Sequence, residues 1–120
     1  MQGLGIFNEE SERAVLGSIL KDEKCLDVVK DYIIDKDAFY IEKHQTIWNA
    51  IIDLKSENIP IDMVNISSKV KGITYYITGL VESVPSTANV ESYAKQLHSD
   101  WLRRKLIRQS QEIANKASDD

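Results

Sequence analysis

The chain has few residues that cross-link a fold or interrupt its helices: one cysteine, two prolines and five glycines among 120 residues. The lone Cys25 excludes an internal disulfide and suits a reducing compartment, where such a residue usually serves as a small buried apolar group. No apolar run approaches the eighteen or so residues that a membrane span needs. Met1 to Asn8 also lacks the basic and apolar regions of a secretion signal. We therefore expect a cytoplasmic protein with no membrane partner.

Motifs for nucleotide binding and catalysis are missing as well. The chain has no G-x-x-x-x-G-K-[ST] and no G-x-G-x-x-G, and its glycines are too scattered to cradle a phosphate. His44 and His98 lie far apart, and one cysteine cannot complete a zinc site of known spacing. We expect both histidines to be structural. The sequence predicts no catalytic residue, no metal site, no cofactor site and no ATP hydrolysis by this chain.

The charge is unevenly placed. A net charge of -4 argues against a protein that coats nucleic acid with its whole surface, because that mode needs a basic field. Four of the cations nevertheless cluster beside Trp101: Arg103, Arg104, Lys105 and Arg108. They form either a phosphate-contacting patch or, more commonly for such a run, a solvated helix face whose long stems cover apolar neighbours.

Apolar residues recur at helical spacing along almost the whole chain, which predicts an all-α domain. Asn8 and Asp62 stand at N-cap positions, and Gly72 closes the helix that Asp62 opens. Another helix is predicted from about Lys43 to Glu57. Ile73 to Val84 also predicts a helix, because a strand there would have no partner. The residues expected to face the core are Val15, Leu16, Ile19, Leu20, Leu26, Val29, Ile33, the Phe39-Tyr40 pair, Ile47, Trp48, Ile51, Ile52, Leu54, Val64, Ile66, Val70, Ile73, Tyr76, Ile77, Leu80 and Val84.

The last third of the chain predicts one long helix, from about Val90 to about Ala117. It would extend about 40 Å, more than the roughly 35 Å diameter of a compact domain of this size, so part of it must project. One apolar stripe comprises Val90, Tyr93, Ala94, Leu97 and Trp101, and its continuation would reach Arg104 and Arg108. A second stripe, a third of a turn away, comprises Leu102, Leu106, Ile113 and Ala117, with Ile107 beside it. The helix either bends round one core or, beyond Trp101, packs on another helix or chain.

Several short motifs occur together and in order. They are Glu12 to Leu20 (E-R-A-V-L-G-S-I-L), Phe39-Tyr40, His44-Gln45 followed by Ile47-Trp48, Ile61-Asp62, Val84 to Val90 (V-P-S-T-A-N-V) followed by Tyr93-Ala94, and Leu102 to Ile107 (L-R-R-K-L-I). Each motif is weak alone. In this register they cover nearly the whole chain, which resembles the N-terminal domain of the DnaB-type replicative DNA helicases of bacteria and their phages.

The resemblance implies a compact multi-helix globule, residues 1–88, followed by the first arm of a helical hairpin, residues 89–120. In that family, hairpins pair and build a trimer-of-dimers collar on a six-membered ring. The return helix, the linker and the RecA-like ATPase domain, which would bind ATP and Mg²⁺, are absent from this sequence. The chain is then a piece of a longer helicase, or else a naturally short relative. Its compartment would be the bacterial cytosol, or the host cytosol if a phage encodes it.

The resemblance also implies a role in DNA replication, with the collar docking primase and, in some systems, a helicase loader. By motif, the partner-facing residues would be Tyr76, Arg104, Leu106 and Ile107, although core packing is an equal alternative for Tyr76. Self-association would use Leu102, Leu106 and Ile113. DNA would be contacted only through the full-length helicase. The segment between Val70 and Tyr76 is shorter than in the family, so contacts of that loop cannot be transferred.

Two other interpretations remain open on the sequence. The helicase-binding end of primase resembles the same helical arrangement, although the motifs match the helicase side. A small DNA-binding module could use Arg103 to Arg108, in which case its affinity would fall steeply with salt.

Overall fold

The computed structural model describes residues 5–119, and every regular element in that range is helical. The elements are α1 (Glu9–Lys21), α2 (Cys25–Val29), a 3₁₀ turn (Lys36–Ala38), α3 (Glu42–Ser56), α4 (Met63–Lys69), α5 (Thr74–Glu82) and α6 (Val90–Asp119). The prediction of an all-α domain with a long last helix is confirmed. The molecule measures 54 × 28 × 24 Å, and its length comes from the projection of α6 beyond the globule.

The helix boundaries follow the local signals in the sequence. The Asn8 side chain accepts a hydrogen bond from the Ser11 amide at 2.8 Å, and the Asp62 side chain accepts one from the Asn65 amide at 2.8 Å. Both N-caps therefore satisfy a free amide of the first helical turn, as predicted. The prediction that Gly72 closes α4 is wrong, because the helix ends at Lys69 and its C-cap, Val70, is already extended. Gly72, with φ +76°, lies in the turn that leads to α5.

Helix α1 lies at the centre of the globule and packs against α3, α5 and α6. It approaches α5 closely at Gly17. A Cβ atom at this position would lie 2.5 Å from the carbonyl oxygen of Leu80 and 2.7 Å from Cγ2 of Val84. Because backbone cannot yield easily, only glycine allows α1 and α5 to lie this close.

The core differs from the prediction at Ile52, Val64, Ile33 and Tyr40. Ile52 is 36% exposed and Val64 is 74% exposed. Helix α4 has only seven residues and buries a single side chain, Ile66, so Val64 in its first turn points away from the globule. Ile33 is buried as expected, but it lies beyond the end of α2 rather than on that helix, because α2 ends at Val29. Phe39 anchors the core, whereas its neighbour Tyr40 is 36% exposed.

Helix α6 has one half in the globule and one half outside it. Val90, Ala94 and Leu97 are buried against the core, and Tyr93 and Trp101 are packed against it, so the first stripe is confirmed. The buried face does not stop at Trp101, however, but includes Arg104. Beyond Arg104 every described side chain is exposed except that of Ile107, which is half-buried. This projecting half, residues 105–119, is about 22 Å long at 1.5 Å per residue.

Candidate partner-docking site

A buried carboxylate and a buried imidazole lie at the base of the candidate site. Nδ1 of His44 is 2.7 Å from Oε1 of Glu12, and the two side chains are 0% and 1% exposed. Glu12 also accepts hydrogen bonds from the amides of Tyr40, at 2.7 Å, and Ile41, at 3.3 Å. The carboxylate thus ties α1 to the start of α3. His44 is structural, as predicted.

Tyr76, a predicted partner-facing residue, is half-buried and held by this pair. Its hydroxyl lies 2.6 Å from Nε2 of His44 and accepts a 3.4 Å hydrogen bond from Nη1 of Arg13. Because the Glu12 carboxylate can only accept, we assign a proton to Nδ1 of His44, which donates to Glu12. Nζ of Lys43 lies 4.4 Å from the centre of the Tyr76 ring. The tyrosine is therefore both a core residue and part of the surface.

The surroundings of Tyr76 favour its neutral form. Burial raises the pKa of its phenol above the ordinary value, and the nearby Arg13 guanidinium offsets part of that rise. A neutral phenol can donate to His44 while it accepts from Arg13. The ring is consequently fixed in one orientation, with Lys43 over its exposed part.

Arg104, predicted to face a partner or a phosphate, instead lies inside the globule, which corrects both predictions. It is 6% exposed. Nη1 donates to the carbonyl of Ile6 at 2.8 Å, and Nη2 donates to the carbonyls of Asp37 and Ala38 at 3.2 Å each. Burial lowers the pKa of the Arg104 guanidinium from its ordinary value, while the charge of Glu12 acts in the opposite direction.

Tyr40 contacts both Glu12 and Arg104. Its ring stacks on Phe7, with centroids 4.2 Å apart, and the Arg104 guanidinium carbon is 5.5 Å from the ring centre. Glu12 on α1 accepts a hydrogen bond from the Tyr40 amide, and Arg104 on α6 donates to the carbonyls of Asp37 and Ala38. The segment from Asp37 to Ile41 is therefore bound to α1 on one side and to α6 on the other. The point where α6 leaves the globule is thereby fixed.

The other predicted residues of α6 are largely outside the globule. Leu102, Leu106 and Ile113 are 47%, 65% and 69% exposed, and Ile107 is half-buried. Arg103, Lys105 and Arg108 are exposed, with Nζ of Lys105 lying 5.0 Å from the centre of the Trp101 ring. Without Arg104 the cationic cluster has three free members instead of four, which weakens the case for a nucleic-acid module.

Sequence reasoning missed Glu12, Arg13 and Lys43 as parts of the site. A signal for Glu12 was available, because it lies one helical turn before Val15 and Leu16 on the buried face of α1. A charged residue on an apolar face requires a buried partner. His44, one turn before Trp48 on the buried face of α3, meets the same condition.

Between residues 5 and 119 no three histidine, cysteine or acidic side chains cluster closely enough to hold a metal ion. Within the same range, none of the helices combines the length and apolar character needed to cross a membrane.

Comparison with known proteins identifies relatives of this chain. A family model described as DnaB-like helicase N terminal domain matches residues 6–99. The replicative DNA helicase DnaC of Bacillus subtilis (strain 168) is 37% identical over 116 residues, which make up 89% of this chain and 25% of that protein. The replicative DNA helicase DnaB of Geobacillus stearothermophilus is 32% identical over 113 residues, or 88% of this chain and 25% of that protein. The chain thus spans about a quarter of the length of these curated relatives.

Two solved structures are similar to this one in fold. The crystal structure of the N-terminal domain of DnaB helicase from Mycobacterium tuberculosis has the same fold, with a TM-score of 0.87 at 24% identity, over 92% of this chain and 84% of that chain. A structure of a DnaB-like replicative helicase and its interactions with primase gives a TM-score of 0.81 at 27% identity, over 94% of this chain and 28% of that chain. On the family match and the level of identity to these relatives, the chain belongs to the DnaB-like helicase N-terminal domain family.

Proposed function

We propose that this chain is the assembly and partner-docking domain of a hexameric, ATP-dependent replicative DNA helicase. Copies associate through α6, and primase docks on the globule and the base of α6. ATP and Mg²⁺ belong to a motor domain outside this chain. Family membership supports the role in replication, and the solved relative that is described together with primase supports the choice of partner.

The projecting half of α6 carries the assembly part of the proposal. Leu106 and Ile113 on this half, together with Leu102 just before it, form an exposed apolar stripe that the globule leaves largely uncovered. A helix that extends about 22 Å into solvent gains no tertiary packing, and an exposed apolar stripe on it marks an interaction surface. A second helix or a second copy would bury it.

The docking part rests on the rigidity of the surface around Tyr76. The ring is fixed by hydrogen bonds to His44 and Arg13, and Lys43 lies over it. An aromatic side chain that is already ordered loses little conformational entropy on binding, which makes it a good interface anchor. Ile107, half-buried on α6, is the second residue that we assign to the primase contact.

The test is a calorimetric titration of this chain with the helicase-binding domain of the primase from the same host. Ile107→Asp should reduce the affinity by at least about tenfold, because it places a charge in an apolar contact. Gln109→Asp is the matched control, because it adds the same charge to an exposed position of the same helix. Circular dichroism should show that both variants keep the helical content.

Saturable heat that Ile107→Asp removes and Gln109→Asp preserves would support primase docking. The absence of heat at several temperatures would refute it and favour a helicase loader as the partner. An equal loss in both variants would show that the site is not at Ile107.

A further inference from the structure

Helix α5 carries a glycine that the fold does not require. Gly79 is the sixth of the nine residues of α5, and its φ is not positive. A Cβ atom there would have Nη2 of Arg13, at 4.0 Å, as its nearest neighbour, so an alanine would fit. Glycine is the least favourable residue after proline inside a helix. The close approach of α5 explains Gly17, whereas no contact within residues 5–119 explains Gly79.

The glycine lies on the outer face of α5, next to two tyrosines. At about 100° per residue, Gly79 is about 40° from Tyr75 and about 60° from Tyr76 around the helix, and about one turn further along it. The buried residues Ile77 and Leu80 lie about 160° and about 100° away from it. Gly79 therefore faces outward, between the rows that begin at the two tyrosines.

Neighbouring side chains leave the space above Gly79 open. Helical side chains lean towards the N-terminus of their helix, so Tyr75 and Tyr76 lean away from the glycine. One turn further on, Oγ of Ser83 donates to a carbonyl of its own helix at 2.9 Å. Arg13 borders the opening, with Nη1 on the Tyr76 hydroxyl. We call this opening, bounded by Tyr75, Tyr76 and Arg13, the Gly79 notch.

Tyr75 is a second feature of this face that the fold does not use. Its side chain is 92% exposed, although it stands next to the half-buried Tyr76. Tyrosine is enriched at the centres of protein interfaces, where its ring supplies a large contact area. Tyr75 thus extends the aromatic surface that Tyr76 begins.

The notch fits a helix better than an extended peptide. An extended peptide gains affinity from free backbone groups, but the Gly79 carbonyl already accepts a hydrogen bond from the Ser83 amide at 3.0 Å. Helices pack with their axes about 8–10 Å apart, and the distance depends on the side chains at the contact. A glycine at the contact therefore lets a second helix come unusually close.

The position of the notch indicates the partner. One side chain, Arg13, holds Tyr76 through Nη1 and borders Gly79 through Nη2. The notch is therefore continuous with the surface around Tyr76, to which the proposed function assigns primase. Self-association, by contrast, is assigned to α6.

We propose that a helix of the docked primase domain packs across α5 at the Gly79 notch, with Tyr75 as a second aromatic anchor. The inference rests on the proposed function, because it names the kind of element that primase presents to that surface. Gly79 then sets how closely the two helices approach, and binding explains a glycine that weakens α5.

The test combines calorimetric titration with the helicase-binding domain of the primase and urea unfolding of each variant. Gly79→Ala should weaken primase binding by about threefold and Gly79→Leu by about tenfold or more, because a larger side chain fills more of the notch. Both changes should raise the urea midpoint, because alanine and leucine favour a helix more than glycine does. Affinity and stability thus change in opposite directions, which a purely structural role would not produce.

Asn49→Leu is the matched control for the glycine. It adds a leucine at an exposed position of α3, outside the notch, and should favour the helix without changing primase affinity.

Tyr75→Ser should weaken primase binding by about fivefold to tenfold. The urea midpoint should stay unchanged, because the side chain is exposed. Ile34→Ser is the control, since Ile34 is 80% exposed and lies beyond the end of α2, outside the notch.

If primase binds and Ile107→Asp weakens it, but neither Gly79→Leu nor Tyr75→Ser does, the inference is wrong although the proposed docking stands. If both glycine variants lower affinity and urea midpoint together, the glycine serves the fold and the inference is wrong. If Gly79→Leu weakens self-association in sedimentation velocity but leaves primase affinity unchanged, the notch receives a second copy instead. The absence of heat with the unmodified chain would refute the proposed docking and the inference with it.

Discussion

Glu12 and His44 face each other in the core, with Oε1 and Nδ1 2.7 Å apart, although one residue is on α1 and the other on α3. Through Nε2 of His44 the same interaction extends to Tyr76 on α5. Among the described residues no buried side-chain nitrogen or oxygen lacks a hydrogen-bond partner. A fully satisfied network of this kind rigidifies the elements that it joins, so the surface around Tyr76 is arranged before any partner arrives.

The first prediction concerns Glu12. Glu12→Gln should lower the free energy of unfolding by about 2–3 kcal/mol, because an amide group would face donors at a site where the carboxylate accepts all its hydrogen bonds. Glu10→Gln, an exposed change two residues earlier on α1, should stay within about 0.5 kcal/mol. Urea unfolding of both variants measures the difference, and equal stabilities would contradict the role of Glu12.

The second prediction concerns Arg104. Arg104→Met should lower the free energy of unfolding by about 2 kcal/mol, since it keeps much of the stem but removes the donors to three backbone carbonyls. Arg103→Met, on the exposed side of α6, is the control. Hydrogen exchange should also quicken in the last buried turn of α6 in Arg104→Met. Unchanged exchange and stability would show that this arginine does not fix the helix.

The third prediction compares two glycines inside helices. Gly17→Ala should destabilise the domain by about 1–3 kcal/mol, because the new methyl group meets backbone of α5 and overpacks the contact. The nearest atom to a Cβ at Gly79 is Nη2 of Arg13, at 4.0 Å. Gly79→Ala should therefore stabilise the domain by up to about 1 kcal/mol, through helix propensity. Thermal unfolding of both variants decides, and the same sign of effect in both would contradict the packing.

The fourth prediction concerns alkaline pH. Because burial raises the pKa of Tyr76, the folded state keeps its proton where the unfolded chain loses it. The contribution of the Tyr76 hydroxyl to the free energy of unfolding is complete below the pKa of about 10 that tyrosine has in the unfolded chain. This contribution is lost as the pH rises through the higher pKa of the folded state. Tyr76→Phe should therefore be less stable at neutral pH, yet lose less stability above pH 10. Urea midpoints across this range provide the measurement, and parallel profiles would contradict it.

The local signals in the sequence were sufficient for the helices. The caps at Asn8 and Asp62 and the stripe from Val90 to Leu97 depend on neighbouring residues, so spacing alone predicts them. The exposure of Ile52 and Val64 depends on which other helix covers each face. That is a tertiary property, and an apolar residue at helical spacing does not reveal it.

In the candidate site, too, local spacing was predictable from the sequence and long-range contacts were not. Arg104 lies where the spacing of the first stripe places it, but its partners are carbonyls of Ile6, Asp37 and Ala38, which are distant in the sequence. Motif resemblance placed this arginine on a partner surface, whereas the fold uses it inside the globule. Long-range hydrogen bonds to backbone carry no residue pattern, so the sequence could not predict this one.

The most direct test of the central claim, that partners dock at the surface around Tyr76, is an NMR titration of this chain with the helicase-binding domain of its primase. The account predicts that the largest shift changes fall on amides of Lys43, Tyr76 and Ile107, and that amides of Ile34 and Ile52 stay unperturbed. Saturable changes confined to other surfaces, or no changes at all, would contradict it.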